Sequence, residues 1–143
     1  MPPTPAKLWG ARDVGLDLLK VGMRRVATGP VREVVSSDAR LDRLPVLTCW
    51  PEDGGPFVTL PLVFSNDPRT GTRNCGMYRV QKVDRRTCMM HWQVHKDGRQ
   101  HLLDSEGRVP VAVVIGTDPA VTYSATAPLP PALDEMMFAG FLR

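Results

Sequence analysis

A chain of 143 residues, 43% of them hydrophobic, is long enough to bury the core of one ordinary domain. Its 18 Lys and Arg against 15 Asp and Glu leave a net charge of only +3, and the basic residues are scattered, which argues against a nucleic-acid-binding surface. Three cysteines without a CxxC spacing, a start unlike a signal peptide and no long apolar run predict a cytoplasmic protein without a membrane span.

The first predicted elements are a helix and a strand. After Asp13, apolar residues recur at helical spacing, which predicts a helix over 13–28 and makes residues 1–29 a helical lead-in. The stretch 30–35 is typical of a strand. The polar stretch 36–44 is typical of a loop.

Short strands are predicted for the middle of the chain. Alternating apolar residues after the Asp53-Gly54-Gly55 turn predict a strand over 58–64. Two further runs, 76–83 and 89–96, are separated by a short polar loop, and this pattern predicts a hairpin.

The predicted hairpin has two unlike faces, because alternate side chains of a strand share a face. The polar face would carry Arg79, Gln81, His91, Gln93 and His95. The apolar face would carry Tyr78, Val80, Met90, Trp92 and Val94. Solvation is the commonest fate of such a polar face, and a phosphate or metal site is the alternative.

The last third predicts one more strand and two helices. The β-branched run 109–115 predicts a buried strand, Pro119 suits the first turn of a short helix, and a second helix is predicted from Pro130 to the chain end. The whole pattern predicts an α+β domain dominated by antiparallel strands that could close into a barrel.

The spacing of possible ligands identifies no metal site. The three histidines and three cysteines match no zinc pattern, whereas a mixed set of oxygen and nitrogen ligands would suit a harder ion such as manganese. The chain also has no glycine-rich phosphate loop and no nucleophile-elbow pattern.

An ordered series of motifs resembles the UbiD family of decarboxylases. The series comprises Leu44-Pro45-Val46-Leu47, Trp50-Pro51-Glu52-Asp53-Gly54-Gly55-Pro56-Phe57-Val58-Thr59, Asn74-Cys75-Gly76-Met77-Tyr78-Arg79, His91-Trp92-Gln93-Val94-His95-Lys96, and Ala127-Pro128-Leu129-Pro130 followed by Glu135 and Phe138-Ala139-Gly140. Each motif alone is weak, but the ordered set is specific and covers the chain from about Pro30 to Arg143.

The resemblance implies that residues 30–143 form a flavin-binding split β-barrel with flanking helices. Such a domain holds prenylated FMN through its phosphate and a divalent metal, usually manganese, with potassium as a further candidate. The implied metal ligands are Asn74, His95 and Glu135. The implied cofactor-binding residues are Met77, Tyr78, Arg79, His91, Trp92, Gln93, Lys96 and Asp97, and Arg79 matches the catalytic arginine, whose donor fork suits a carboxylate.

The resemblance also implies the reaction and the partners. The reaction is non-oxidative decarboxylation of an aromatic or α,β-unsaturated carboxylic acid, such as the 4-hydroxy-3-polyprenylbenzoate step of quinone biosynthesis. A flavin prenyltransferase would supply the cofactor, and the full-length protein would be a homo-oligomer.

Full members of the family extend beyond both ends of this chain and carry their acidic proton donor in a later segment. We therefore expect the chain to be truncated at both ends. It is either an incomplete gene product, which the end at Arg143 in mid-motif favours, or a natural small subunit that another chain completes. A non-catalytic flavin-binding or assembly module is the alternative function.

Overall fold

The computed structural model of this chain describes Val21, residues 23–130 and residues 133–143. The strands in these residues are β1 (Phe57–Val58), β2 (Leu62–Asn66), β3 (Arg73–Met77), β4 (Val80–Lys82), β5 (Cys88–Met90) and β6 (Val111–Val114). The helices are α1 (Asp97–Asp104), α2 (Pro119–Ser124) and α3 (Glu135–Leu142), together with single 3-10 turns at Pro30–Arg32 and Leu41–Arg43.

Two three-stranded antiparallel sheets organise the fold. One sheet has the order β3-β2-β6, and the other has the order β1-β4-β5. The predicted α+β class with antiparallel strands is therefore confirmed. Neither sheet closes on itself within the described residues, so the predicted split barrel is not confirmed.

Strand β2 lies at the centre of the core. Its neighbours β3 and β6 pair with it on both edges, and Leu62 and Val63 are almost completely buried. Cys75 of β3 is also buried and packs as a small apolar residue, whereas Cys49 and Cys88 are exposed.

The chain changes sheets between β3 and β4, at Tyr78 and Arg79. The run 76–83, predicted as a single strand, is therefore two strands in different sheets. The Tyr78 ring folds back over Gly76, where an added Cβ would lie 2.6 Å from the ring carbons. Glycine at this position leaves the space that the ring occupies.

The predicted hairpin is confirmed only where β4 pairs with β5. The second arm ends at Met90, and residues 91–96 leave the strand for a turn that leads into α1. His91 N–H still donates to the Arg79 carbonyl at 3.0 Å, but the next bond, from Trp92 N–H, returns to Met90. The predicted common face of His91, Gln93 and His95 is therefore wrong.

Prolines explain two other differences from the predictions. The predicted strand over 58–64 is divided into β1 and β2 ahead of Leu62, because Pro61 lacks the N–H that a continuous ladder needs. The predicted strand over 30–35 is wrong, since Pro30 opens a 3-10 turn there. Of the helix predicted over 13–28, residues 23–28 are not helical, and most of the rest lies outside the described residues.

Aspartates cap the last two helices. Asp118 accepts a hydrogen bond from Ala120 N–H ahead of α2, which begins at Pro119 as predicted. Asp134 accepts one from Met136 N–H, so α3 begins at Glu135 and not at Pro130. Among the described helices, none has the length and apolarity that crossing a bilayer requires.

Candidate functional site

A cavity of about 660 Å³ lies between β3, the start of α1 and the start of α3. Its wall includes the turn that joins β2 to β3, all of β3, the stretches 95–97 and 100–101, and the segment 125–130. Asp67 shapes the turn by accepting hydrogen bonds from Arg69 N–H at 2.8 Å and from the Thr70 hydroxyl at 3.0 Å. These bonds lower the pKa of Asp67, with the Arg69 N–H contributing most.

The three residues predicted as metal ligands all line this cavity. Asn74 comes from β3, His95 from the turn ahead of α1, and Glu135 from the first residue of α3. The fold thus brings to one cavity an amide, an imidazole and a carboxylate from three separate elements. No group of three His, Cys, Asp or Glu positioned for a metal occurs in the described part of the chain, and the predicted set contains only two such residues. Its ligand role stays a prediction.

The Glu135 carboxyl lies in surroundings that disfavour its negative charge. Burial raises its pKa, and the nearby carboxylates of Asp134 and Asp97 raise it further, while backbone N–H groups, including that of Cys75, oppose the shift. Burial and the same Glu135 charge raise the pKa of Cys75 to about 12, so this thiol is protonated and unreactive. A cation beside Glu135 would offset the repulsion.

Two buried hydrogen-bond donors of the cavity wall have no partner among the described residues. They are Nε of Arg73 and Nδ2 of Asn74, of which the Asn74 amide is near enough to the Tyr78 hydroxyl to oppose the rise in the pKa of that phenol, while Nε of Arg73 has no such neighbour in the described part of the chain. An unpaired buried donor costs free energy that a bound acceptor would recover, typically about 1–3 kcal/mol. Unpaired donors and crowded carboxylates on one wall fit a group that combines phosphate oxygens with a cation.

Four of the predicted cofactor-binding residues also line the cavity: Met77, Tyr78, Lys96 and Asp97. Tyr78 is the buried member of the four, and burial raises the pKa of its phenol. Its hydroxyl lies 3.1 Å from the point where a Cβ on Gly98 would be, so Gly98 leaves room for the ring.

The other four lie outside the cavity wall. The ring of Trp92 packs edge-on against Tyr78 at a centroid distance of 6.2 Å and so supports the wall from behind. His91 and Gln93 are exposed. Arg79 points to the opposite side of the chain from Tyr78 and pairs with Asp53.

The Arg79 guanidinium is held in a fixed orientation. Nη1 and Nη2 donate to the two carboxylate oxygens of Asp53 at 3.1 and 2.7 Å, and the group lies 3.8 Å above the Phe57 ring. This pairing lowers the pKa of Asp53 and raises that of Arg79. The predicted catalytic arginine is thus preorganised, but not as part of the cavity wall.

Sequence reasoning missed three side-chain pairs that support these residues: Arg73 with Asp134 at 2.6 Å, Ser65 with His101 at 2.9 Å, and Asp53 with Arg79. Only Asp134 had a local signal, since an aspartate just before an apolar helical run is a typical N-cap. The other pairings join residues far apart in sequence and have no local signature.

The family model for the UbiD 3-octaprenyl-4-hydroxybenzoate carboxy-lyase Rift-related domain matches residues 24–143. An uncharacterized protein of Archaeoglobus fulgidus is 47% identical over 137 residues, which cover 90% of this chain and 28% of that protein. A 4-hydroxybenzoate decarboxylase subunit from Chlamydia pneumoniae is 41% identical over 144 residues, which cover 99% of this chain and 25% of that protein. The chain therefore spans about a quarter of the length of these curated relatives.

Solved structures show the same fold. Sedimentibacter hydroxybenzoicus vanillic acid decarboxylase in its closed form has a TM-score of 0.81 at 25% identity, covering 98% of this chain and 32% of that one. An evolved dimeric form of the UbiD-class enzyme HmfF from Pelotomaculum thermopropionicum, in complex with prFMN, has a TM-score of 0.73 at 24% identity, covering 90% and 32%. The match to the family model over most of the sequence, with relatives above 40% identity along nearly the whole chain, shows that this chain belongs to the UbiD family of decarboxylases.

Proposed function

We propose that this chain is the cofactor-holding part of a cytoplasmic UbiD-type carboxy-lyase that uses prenylated FMN. The observation that carries the proposal is the cavity on which Asn74, His95 and Glu135 converge, with the buried Nε donor of Arg73 unpaired in the same wall. Membership of the UbiD family supports the reaction class, which is non-oxidative removal of CO2 from an aromatic or α,β-unsaturated acid.

The residues of the cavity suit the two charged parts of such a cofactor site. Asn74 would offer an amide oxygen, His95 an imidazole nitrogen and Glu135 a carboxylate to Mn²⁺, with K⁺ as a further candidate ion. Met77, Tyr78, Lys96 and Asp97 would hold the phosphate-bearing part against β3. The prenylated flavin, when bound, supplies an electron sink for the pair that remains as CO2 leaves.

Arg79 would bind the carboxylate of the substrate. A guanidinium carries five N–H donors, and Asp53 receives two of them, so donors remain for a second carboxylate. The stretch His91-Trp92-Gln93 lies beside Arg79, because His91 N–H donates to the Arg79 carbonyl. These three residues would contact the part of the flavin that is distant from its phosphate. This arrangement would place the substrate on the opposite side of β3 and β4 from the metal.

The substrate class comes from the relatives. One relative is named as part of a 4-hydroxybenzoate decarboxylase, and a structural neighbour is a vanillic acid decarboxylase, so a hydroxylated aromatic acid is the proposed substrate. The 4-hydroxy-3-polyprenylbenzoate step of quinone biosynthesis is one candidate, in keeping with the name of the family model. A flavin prenyltransferase would supply the cofactor, and the complete protein would be a homo-oligomer.

The test is cofactor retention. The chain is expressed beside a flavin prenyltransferase with manganese present, and the purified protein is examined for flavin absorbance and for the mass of the cofactor. We expect bound prenylated FMN and manganese, and we expect Glu135→Gln to lose both together because it removes the charged ligand.

A control separates ligand loss from misfolding. Glu106 lies on an exposed turn away from the cavity, and Glu106→Gln makes the same chemical change there. Its flavin content should equal that of the wild type. Folded wild-type protein that retains neither flavin nor manganese would contradict the proposal.

A non-catalytic flavin-binding module is the second candidate. It is favoured by the position of Arg79, which lies outside the cavity, so that the cavity could hold a cofactor without any substrate. The coding DNA on both sides of the chain distinguishes the two. An in-frame continuation that supplies an acidic proton donor supports the enzyme, and a separate gene for the remaining domains supports the module.

A further inference from the structure

We propose that Arg73 is an additional residue of the cofactor site, with two roles. Its Nη2 group fixes the position of α3 by binding Asp134, and its Nε–H donates to an anionic group, such as a phosphate, in the cavity. This inference rests on the proposed function, since it assigns the cavity to a phosphate-bearing ligand with a metal ion.

The first role follows from an ion pair that joins two distant elements. Arg73 is the first residue of β3, and its Nη2 donates to Oδ2 of Asp134 at 2.6 Å. The other carboxylate oxygen of Asp134 accepts the Met136 N–H at 2.7 Å and so caps α3. One carboxylate therefore fixes the start of the helix to the start of the strand.

This ion pair lies directly beside the proposed ligands. Asn74 follows Arg73 in β3, and Glu135 follows Asp134 in α3. Because each proposed ligand is the next residue after one member of the pair, the Arg73–Asp134 contact sets how far apart the two ligands lie. Partners that orient metal ligands in this way typically change metal affinity about 10–100-fold when they are removed.

The second role follows from the unused donor of the same side chain. Nε of Arg73 is buried and has no hydrogen-bond partner among the described residues, and Arg73 lines the cavity. A guanidinium stays charged at any physiological pH, so this donor cannot be relieved by losing its proton. The Arg73 side chain as a whole is 33% exposed, so a small rotation of its guanidinium would bring Nε–H to an acceptor inside the cavity, and phosphate oxygens match a guanidinium well.

The other cations of the cavity wall are less suited to this role. Arg69 is 65% exposed at its side chain and already pairs with Asp104 at 2.9 Å. Lys96 is exposed. Among the described cationic residues that line the cavity, Arg73 is the one whose buried donor lacks a partner.

The experiment measures two probes separately on the 143-residue chain. Mn²⁺ binding is followed by the loss of the free-ion EPR signal, and inorganic phosphate binding is followed by calorimetry without metal. The variants are Arg73→Gln, Arg73→Lys and Asp134→Ser. Serine retains a side-chain oxygen for the helix cap but cannot form the ion pair. Arg108 is exposed, and Arg108→Gln is the control with the same loss of charge.

We expect Arg73→Gln to weaken both Mn²⁺ and phosphate binding by about tenfold or more. Asp134→Ser should weaken Mn²⁺ binding similarly but leave phosphate binding intact, because it removes the ion pair and keeps the Nε donor. Arg73→Lys should keep most of the Mn²⁺ affinity and lose phosphate affinity, since lysine retains the charge without the planar donor group. Arg108→Gln should change neither affinity.

The two proposals fail in different ways. Wild-type chain that is folded by circular dichroism but binds neither probe would contradict the cofactor site itself. Wild-type binding that persists unchanged in Arg73→Gln and Asp134→Ser would overturn only the assignment of Arg73. If Arg73→Gln does not fold, Arg73→Lys and Asp134→Ser still decide, because each removes one role and keeps the other.

Discussion

The pair between Arg79 and Asp53 fixes the 50–55 loop to the point where the chain changes sheets. Asp53 also accepts a hydrogen bond from Trp50 N–H at 3.2 Å, so the carboxylate orders its own loop as well as the guanidinium. Gln81 adds a second tie by donating to the Gly54 carbonyl at 2.6 Å. The orientation of Arg79, the proposed substrate-binding arginine, therefore depends on the 50–55 loop, which belongs to an earlier part of the sequence.

The stabilising effect of this pair should depend on pH. The hydrogen bond from Arg79 lowers the pKa of Asp53 below its ordinary value of 3.8. A carboxyl group whose pKa is lowered in the folded state stabilises the fold above its unfolded value, and the contribution is lost as the pH falls through the folded value. We expect Asp53→Asn to melt at a lower temperature than the wild type at pH 7, and the difference to vanish as the pH falls below 3.8.

Thermal unfolding followed by circular dichroism across this pH range measures the difference. Glu52→Gln is the control, because Glu52 is the exposed neighbour in the same loop and forms no ion pair within the described residues. A melting difference for Asp53→Asn that stays constant far below pH 3.8 would show that the carboxylate charge is not its cause.

At the level of elements, one buried hydrogen bond joins β2 to α1. The Ser65 hydroxyl and His101 Nδ1 are 2.9 Å apart, and both residues are buried. His101 lines the cavity, and α1 follows directly after His95 and Lys96. The bond therefore holds in place the helix whose first turn closes one side of the cavity.

Removing one partner of this bond should cost stability. Ser65→Ala leaves the His101 nitrogen buried without a partner, and we expect the free energy of unfolding to fall by about 1–3 kcal/mol. Urea denaturation measures the change. The double variant Ser65→Ala/His101→Leu should lose less than Ser65→Ala and His101→Leu lose in sum, because neither polar group then remains unpaired. Simple additivity of the two changes would show that the bond contributes nothing.

Strands and helices were predictable from the sequence where the pattern of neighbouring residues determines them. The β4–β5 hairpin, β6 and α2 follow from alternation, β-branched residues and a proline at a helix start, and the structure confirms them. Helix α1 could not be predicted, because its sequence is mostly polar and no side chain caps it. Just ahead of α1, the alternation from His91 to His95 predicted that the strand continues to residue 96, whereas the structure has a turn over residues 91–96.

The candidate site was less accessible to local reasoning than the fold. Asn74, His95 and Glu135 lie in three different elements, and only the resemblance to a family grouped them before the structure placed them on one cavity. The supporting contacts of Arg73, Ser65 and Asp53 join residues 26 to 61 positions apart. Such contacts depend on tertiary packing, which periodicity and spacing do not encode.

At the level of the whole molecule, much apolar surface is exposed. Strand β6 is the outer strand of its sheet, and Val111 and Val113 are 40% and 41% exposed although the run was predicted to be buried. Phe141 of α3 is 58% exposed. Exposed apolar edge strands promote association between chains. The chain spans about a quarter of its relatives, so surfaces like these are where further protein could pack.

We expect the isolated chain to self-associate through this surface. Val113→Lys places a charge on the outer strand and should increase the monomer fraction measured by light scattering after size-exclusion chromatography. Val31→Lys is the control, since Val31 is 85% exposed but lies in a 3-10 turn outside both sheets, and it should leave the mass distribution unchanged. An equal effect of the two variants would show that net charge alone controls association.

The change of sheets at Tyr78 and Arg79 has a consequence for how such a protein can diversify. The two residues are neighbours in sequence, yet the phenol belongs to the cavity wall and the guanidinium to the loop on the other side. Mutations in the 50–55 loop would therefore change the position of Arg79, the proposed substrate-binding residue, while leaving the cavity untouched. A single inserted or deleted residue at the junction would instead exchange the two sides, so natural variation there should consist of substitutions and not of changes in length.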